Sequence, residues 1–396
     1  MKSNILKNPD LKEEINRQVD AYRKRLIDLS MKIHDNPELG FKEIKACGWI
    51  TDFLSAEGFR IESNTGGLPT AFKAVYGKGR PVIAFLAEYD ALSAAGHSCG
   101  HNIIAASAAG AGIACKYLMD RYEGTIEVIG TPGEEIYGGK SMMLEAGAFT
   151  DVDVVMEVHP GVSNVVIIDA LACIGLDIEF YGKAAHAAAH PEQGINALEA
   201  LLLSFHGINS LRQHIPDRAR IHGIITSGGE MVNVVPDYSS AQLLVRAPDR
   251  NYLNELKQKI LDCFRGAALA IGARLEYKWS DVTYDAMNNN QYLARLFAHN
   301  LESLGRKVEP LENSCSIGST DMGNVSQVVP AVHPVIAIAS EGCVLHSEEF
   351  IIASASEQGH QGLIDAAKSM AMTVVDLIAE PAHIEKVKEE FFTGNK

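Results

Sequence analysis

Cys99 and His101 stand two residues apart in AEYDALSAAGHSCGHNIIAASAAGAG (residues 87–112), with Glu88 and Asp90 just upstream. A continuous helix would send two such side chains to different faces, but a turn entering a helix can aim both at one point. Thiolate and imidazole together suit a borderline-soft ion such as zinc. The pair also fits a buried structural cysteine beside a capping histidine, or a thiol nucleophile with its base. The nucleophile reading fits less well, because a catalytic histidine usually approaches its cysteine from a distant segment.

Three further segments carry matching chemistry. TPGEEIYGG places Glu134 and Glu135 in a Pro/Gly-rich turn after an apolar run. Adjacent carboxylates in a turn can point apart, so one can bind metal while the other acts as general base on an activated water. His159 closes the run DVVMEVHP, and His346 stands in GCVLHSEEF. Taken singly, an EE pair is a solvated surface feature and a lone histidine is structural. Taken together, they bring one cysteine, three histidines and a carboxylate to the ends of apolar runs. Five such side chains exceed one tetrahedral zinc, which points to two ions. Asp90 is suited to orient a ligand imidazole through its carboxylate, and Asp321 in IGSTDMGN is a weaker candidate for that role. Either could instead be a helix cap.

The elements that must position these residues alternate. Amphipathic helices are expected at about 10–34 and 42–58, and strands at PVIAFLAE (81–88), TIEVIGTP (125–132) and DVVMEVHP (153–160). A helix of small residues is expected at about 102–119. Buried β-branched runs alternating with helices predict an α/β domain with a mostly parallel central sheet, whose ligands bind beyond the carboxyl ends of the strands. Near Cys173 the pattern changes to the period-2 run IGLDIEFYG, then a helix, RIHGIITS, SSAQLLVRA, a second helix and RLEYKWSD. That β-α-β-β-α-β order predicts a four-stranded antiparallel sheet with two helices, an α+β domain inserted at 173–284 between 1–172 and 285–396. The α/β pattern then resumes, with helices at about 290–304 and 355–378 and the strand HPVIAIAS.

The 396 residues suggest two domains, and 47% apolar with 21% charged residues is ordinary for a globular enzyme. A formal charge of −15 argues against nucleic acid. No run of about 18 apolar residues predicts a membrane span, and MKSNILKNPDLKEEINRQ lacks the apolar run of a leader. Seven cysteines without framework spacing point to free thiols in a reducing, cytoplasmic compartment.

The segments HDNPELGFKE, AEYDAL, CGHN, TPGEE, EVHPG, GKAAHAA, GGEMVNVVPD, GSTDMGNVSQVVPAVHP and LHSEEF resemble the M20 metallopeptidase family in order and over nearly the whole chain. They look most like its amidohydrolase branch, M20D, and within it the β-alanyl-lysine dipeptidase-like and aminobenzoyl-glutamate hydrolase groups. The resemblance implies a zinc-peptidase-like catalytic domain with two divalent ions, and a lid domain through which two copies pair as a homodimer. It implies Cys99, His101, Glu135, His159 and His346 as metal ligands and Glu134 as the base. It also implies His186 as a lid imidazole that polarises the scissile carbonyl, and Asn233 and Arg246 near a substrate carboxylate. Two departures stand out. The wider family has His-x-Asp where this chain has Glu88-Tyr89-Asp90, so that histidine ligand is absent. Many M20D members have CGHD where Asn102 stands here, which excludes a carboxylate bridge at that position.

The expected activity is metal-dependent hydrolysis of an amide in small N-acyl amino acids or dipeptides, with zinc, manganese, cobalt or nickel as the ion. The rivals are a non-catalytic metal-binding regulatory or partner-dependent subunit, and a Cys99 thiol hydrolase.

Overall fold

The computed structural model describes residues 8–93, 96–313 and 315–394. Residues 1–7, part of the segment that lacks an apolar leader, lie outside the described residues. The chain divides into two compact units, Met1–Asp169 with Met287–Lys396, and Ala170–Ala286.

The first unit is built on a six-stranded sheet. Strand Val82–Ala87 pairs in parallel with Gly124–Gly130 on one side and Val154–Met156 on the other. Ala331–Val332 continues the parallel run past Val154–Met156. Phe72–Lys78 and Arg60–Ser63, not anticipated from the apolar pattern, extend the opposite edge antiparallel. Every residue of Val82–Ala87 and Gly124–Gly130 is buried, which is why these strands read as continuous apolar runs.

The small-residue helix is His101–Met119. A Cβ on Gly110 would stand 2.8 Å from Leu26 of helix Asn8–His34, and one on Gly112 would stand 2.5 Å from Val128 of the sheet. The helix is therefore wedged between a helix layer and the sheet, and larger side chains would separate them. It is long and apolar enough to cross a membrane by length and composition, yet 89% of that window is buried inside the fold.

One expected strand is broken and another is shortened behind a strand that was not expected. DVVMEVHP forms Val154–Met156 and then His159–Gly161, and HPVIAIAS follows Ala331–Val332 as Val335–Ala337. The second pieces leave the main sheet and pair with each other in parallel. His159 therefore opens a short strand instead of closing a long one. The first gap is Glu157-Val158, just before a His-Pro step, and the second is the His333-Pro334 step itself, where proline offers no N–H to a ladder.

The second unit is the β-α-β-β-α-β sheet. Ala172–Tyr181, Arg220–Ser227, Tyr238–Ala247 and Arg274–Trp279 pair antiparallel, and Arg220–Ser227 lies at one edge. Helices Ala197–Leu211 and Arg250–Ile271 pack on one face around Leu176, Ile178, Phe180 and Phe264.

Candidate metal centre

Glycines let the ligand-bearing turns approach one another. Gly100 has φ +76°, and a Cβ there would stand 2.5 Å from Pro160 Cγ, so the CGH turn lies directly against the His159-Pro160 step. Gly133 has φ +71°, and its missing side chain makes room for the Phe41 ring, 2.8 Å from where a Cβ would stand. The buried Glu43 carboxylate accepts from the Gly133 N–H at 2.9 Å and from the Thr70 hydroxyl at 2.8 Å, pinning the turn that presents Glu134 and Glu135. The His346 N–H donates to the Ser98 carbonyl at 3.0 Å, tying the last ligand loop to the first.

The five expected ligands converge. Cys99 Sγ lies 3.3 Å from His159 Nε2, and Glu135 Oε1 lies 3.9 Å from His101 Nε2 and 3.7 Å from His346 Nε2. Ligand atoms of Cys99, His101 and His159 all fall within 4.8 Å of one another, as do those of Cys99, Glu135 and His346. Asp90 holds both halves together. Its Oδ1 accepts from His101 Nδ1 at 3.0 Å and its Oδ2 from the Glu135 N–H at 3.0 Å. His159 Nδ1 lies 2.6 Å from the Pro160 carbonyl. A carboxylate and a carbonyl can only accept, so both imidazoles carry a proton on Nδ1 and turn Nε2 to the site. His101 Nε2 and Glu88 Oε2 are buried without a hydrogen bond, facing each other at 3.2 Å, and against the effect of burial Glu88 and Asp90 hold the His101 imidazole well above its usual range while no ion is bound. A thiol, imidazoles and carboxylates gathered this closely fit divalent cations of the zinc type.

The same burial argues against a thiol nucleophile. It pushes the Cys99 thiol up, and it pushes His159 down to about 4, so this pair is not a preformed thiolate–imidazolium. Burial, reinforced by Glu88 and Asp321, also raises the Glu134 carboxyl well above the ordinary range, the direction that suits a proton acceptor and donor near neutrality. Cys99, Glu135, His159 and His346 line a cavity of about 490 Å³ with Glu134, Val162, Thr320 and Leu345.

These features agree with the comparisons to known proteins. Residues 85–369 match the model for Peptidase family M20/M25/M40. The chain belongs to this family. It is similar to the Xaa-Arg dipeptidase of Mus musculus, 37% identical over 96% of this chain and 92% of that one. It is also similar to one subunit of the p-aminobenzoyl-glutamate hydrolase of Escherichia coli, 30% identical over 95% of this chain and 94% of that one. Its fold matches a Bacillus subtilis structure described as a dinuclear metal binding peptidase from the M20 family, with TM-score 0.72 and 20% identity over 91% of this chain and 99% of that one. As an M20 member with these relatives, the chain is a metal-dependent hydrolase of amide bonds.

Other residues lie beneath the M20 ligands that the sequence reading did not single out. Lys140 is fully buried, pairing with Glu88, with Asp321 at 2.8 Å and with Glu157 at 3.6 Å. His333 lines the cavity, with its ring centroid 5.8 Å from that of His159 and its Nδ1 3.2 Å from Glu157 Oε1. A signal for His333 was present, because Val-His-Pro occurs twice, at 158–160 and 332–334. Asp321 orients Lys140 and not an imidazole: its carboxylate accepts from the Lys140 backbone N–H at 2.9 Å as well as from the ammonium. It makes no side-chain cap bond either. Asn102 is buried and donates to Ser30 Oγ at 2.9 Å and to the Ser354 carbonyl at 3.3 Å, tethering neighbouring helices.

In the second unit, His186 and Asn233 are exposed neighbours: the Ala187 N–H donates to the Asn233 carbonyl at 3.0 Å. His186 Nδ1 accepts from the Ala188 and Ala189 N–H groups at 3.3 and 3.2 Å, so the neutral ring carries its proton on Nε2. Arg246 lies elsewhere. It pairs across the sheet with Cys173 and Arg220, at the opposite end of its strand from Tyr238.

Proposed function

We propose that the chain is a homodimeric dipeptidase or N-acyl amino acid amidohydrolase working with two divalent ions, zinc being the first choice. The observation that carries this reading is that Cys99 belongs to two ligand groups at once, one with His101 and His159 and one with Glu135 and His346. One thiolate shared by two groups supports a paired site. The ions, when bound, polarise the amide carbonyl and acidify the attacking water.

The chain's own residues supply the rest. Glu134, in the cavity wall, takes the proton from the water and returns it to the leaving amine. Asp90 fixes the His101 ring through Nδ1, so that Nε2 is the atom that would hold an ion. His186 offers its Nε2–H to the developing oxyanion, and as a residue of the second unit it does so by lid closure or from a second copy. The edge strand Arg220–Ser227, with Ile224 63% and Ile225 44% exposed, supports pairing of two copies through that unit. A cytoplasmic setting stays part of the proposal, resting on the unframed cysteines.

The relatives named for Xaa-Arg and p-aminobenzoyl-glutamate cleavage both release a product with a free α-carboxylate, which favours substrates of that kind. A screen of metal-loaded protein against N-acyl amino acids and dipeptides tests the reading. Turnover that a chelator abolishes is expected. Protein with two ions bound and no turnover across the panel overturns it.

A further inference from the structure

Glu88 plays no part in the chemistry so far, yet its surroundings are unusual. Its Oε1 is committed to Lys140, while Oε2 faces His101 Nε2 at 3.2 Å. Both facing atoms are buried and unpartnered, in residues about 1% exposed. Asp90 accepts from His101 Nδ1, so Nε2 is the ring nitrogen left to face Glu88 Oε2, and an imidazole and a carboxylate at that distance share one cation, a proton or a metal ion. Metal–nitrogen and metal–oxygen bonds of about 2.0–2.2 Å set the edge of a tetrahedron at roughly 3.3–3.6 Å, close to the spacing seen here. Glu88 sits in a water-sealed acidic cluster, in which one ammonium, Lys140, faces the carboxyl groups of Glu88, Glu157 and Asp321.

We infer that Glu88 is a sixth metal ligand, binding through Oε2 the ion that His101 holds. The inference rests on the two-ion reading above. Glu134 also has a ligand atom within 4.8 Å of those of Glu88 and His101, but Glu88 is the carboxylate whose oxygen is left unpartnered. Glu88 would add a carboxylate oxygen to the ion that His101 holds, on the side of the ring where Glu134 also stands, while the half-exposed His346 belongs to the other ligand group, with Cys99 and Glu135.

A crystal structure of the zinc-loaded protein tests this without any substitution. A Glu88 oxygen about 2.0–2.2 Å from a zinc ion is expected. Two zinc ions with both Glu88 oxygens beyond about 3 Å overturn the inference while leaving the two-ion reading intact. Fewer than two ions in the wild type sinks the two-ion reading and this inference with it. Cobalt titration of Glu88→Gln gives a second test. One of two cobalt sites should weaken at least about tenfold, and its visible band should change in intensity at saturation, because one ligand is gone. An unchanged affinity overturns the inference. So does weaker binding with an unaltered saturated spectrum, since that is what loss of a merely positioning contact produces.

Discussion

Cys99, His101 and His159 are each less than a tenth exposed, and each is held by several independent restraints. His186 and Asn233 of the second unit stand exposed on backbone turns, held mainly by local hydrogen bonds. The first arrangement is preorganised: glycine turns, Asp90 and the backbone bond between His346 and Ser98 set ligand spacing before any ion arrives. The second fixes the tautomer of one ring and leaves its position to the movement or pairing of the unit that carries it. Buried groups should therefore report on metal and chemistry, and exposed ones on assembly and substrate.

The largest effects should come from the buried half. Dialysis against a strong chelator should reduce amide hydrolysis to background, and adding back zinc, manganese or cobalt should restore it. Activity that survives with no metal detected by elemental analysis would break the distinction at its root. Glu134→Gln should keep the fold and both ions but lower kcat by about 10²–10⁴-fold, the range for losing a positioned acid–base. Near-normal turnover with both ions bound would remove Glu134 from the proton path.

His186→Ala should cost about 10²–10³-fold in kcat with metal content unchanged, as expected for one oxyanion donor. Its exposure makes it the sharper probe of assembly. If it acts across a dimer, mixing inactive His186→Ala with inactive Glu134→Gln under subunit exchange should recover activity, since some mixed sites then have both groups. No recovery from demonstrated heterodimers places His186 in its own subunit or outside the chemistry.

Asp90→Asn should weaken metal binding about 10–100-fold, because an amide can turn its NH₂ toward His101 and disturb the tautomer that Asp90 enforces. Equal affinity by competition with a chromophoric chelator would show that the His101 ring is held without it.

Much of this contrast was legible in the sequence, and the gaps have physical reasons. The period-2 run IGLDIEFYG, all but its final glycine, fell within the strand Ala172–Tyr181, because one face is buried there and the alternation is visible. The fully buried strands of the first unit were legible as apolar runs, but the gaps at 157–158 and 333–334 were not, since an apolar run shows no periodicity to interrupt. The strand Phe72–Lys78 was missed because its exposed tail dilutes the apolar signal. The ligands were legible because Cys-x-His and Glu-Glu are local pairs. Lys140 was not, because its partners lie 52 and 181 residues away and only the fold brings them together. A charged residue amid buried neighbours was the one local hint.

Arg246 carries the smallest expected effect. The carboxylate-pocket reading needs a forked donor near the substrate's free carboxylate, and arginine is the side chain suited to it. Within its own unit, however, Arg246 is not beside His186 and Asn233. Asp237, whose carbonyl accepts from the Gly182 N–H near the His186 segment, is nine positions away along an extended strand. At about 3.3 Å per residue that is a separation near 30 Å. Arg246 can meet a small substrate that also meets His186 only if the two come from different copies. Amidating the C-terminus of a good dipeptide substrate gives the measurement. If Arg246 reads the carboxylate, amidation should raise KM in the wild type by about tenfold or more, the scale of a charge-assisted hydrogen bond, and change little in Arg246→Ala. If amidation costs both proteins equally, while Asn233→Ala loses the preference, recognition belongs to the exposed turn beside His186 and Arg246 serves the sheet.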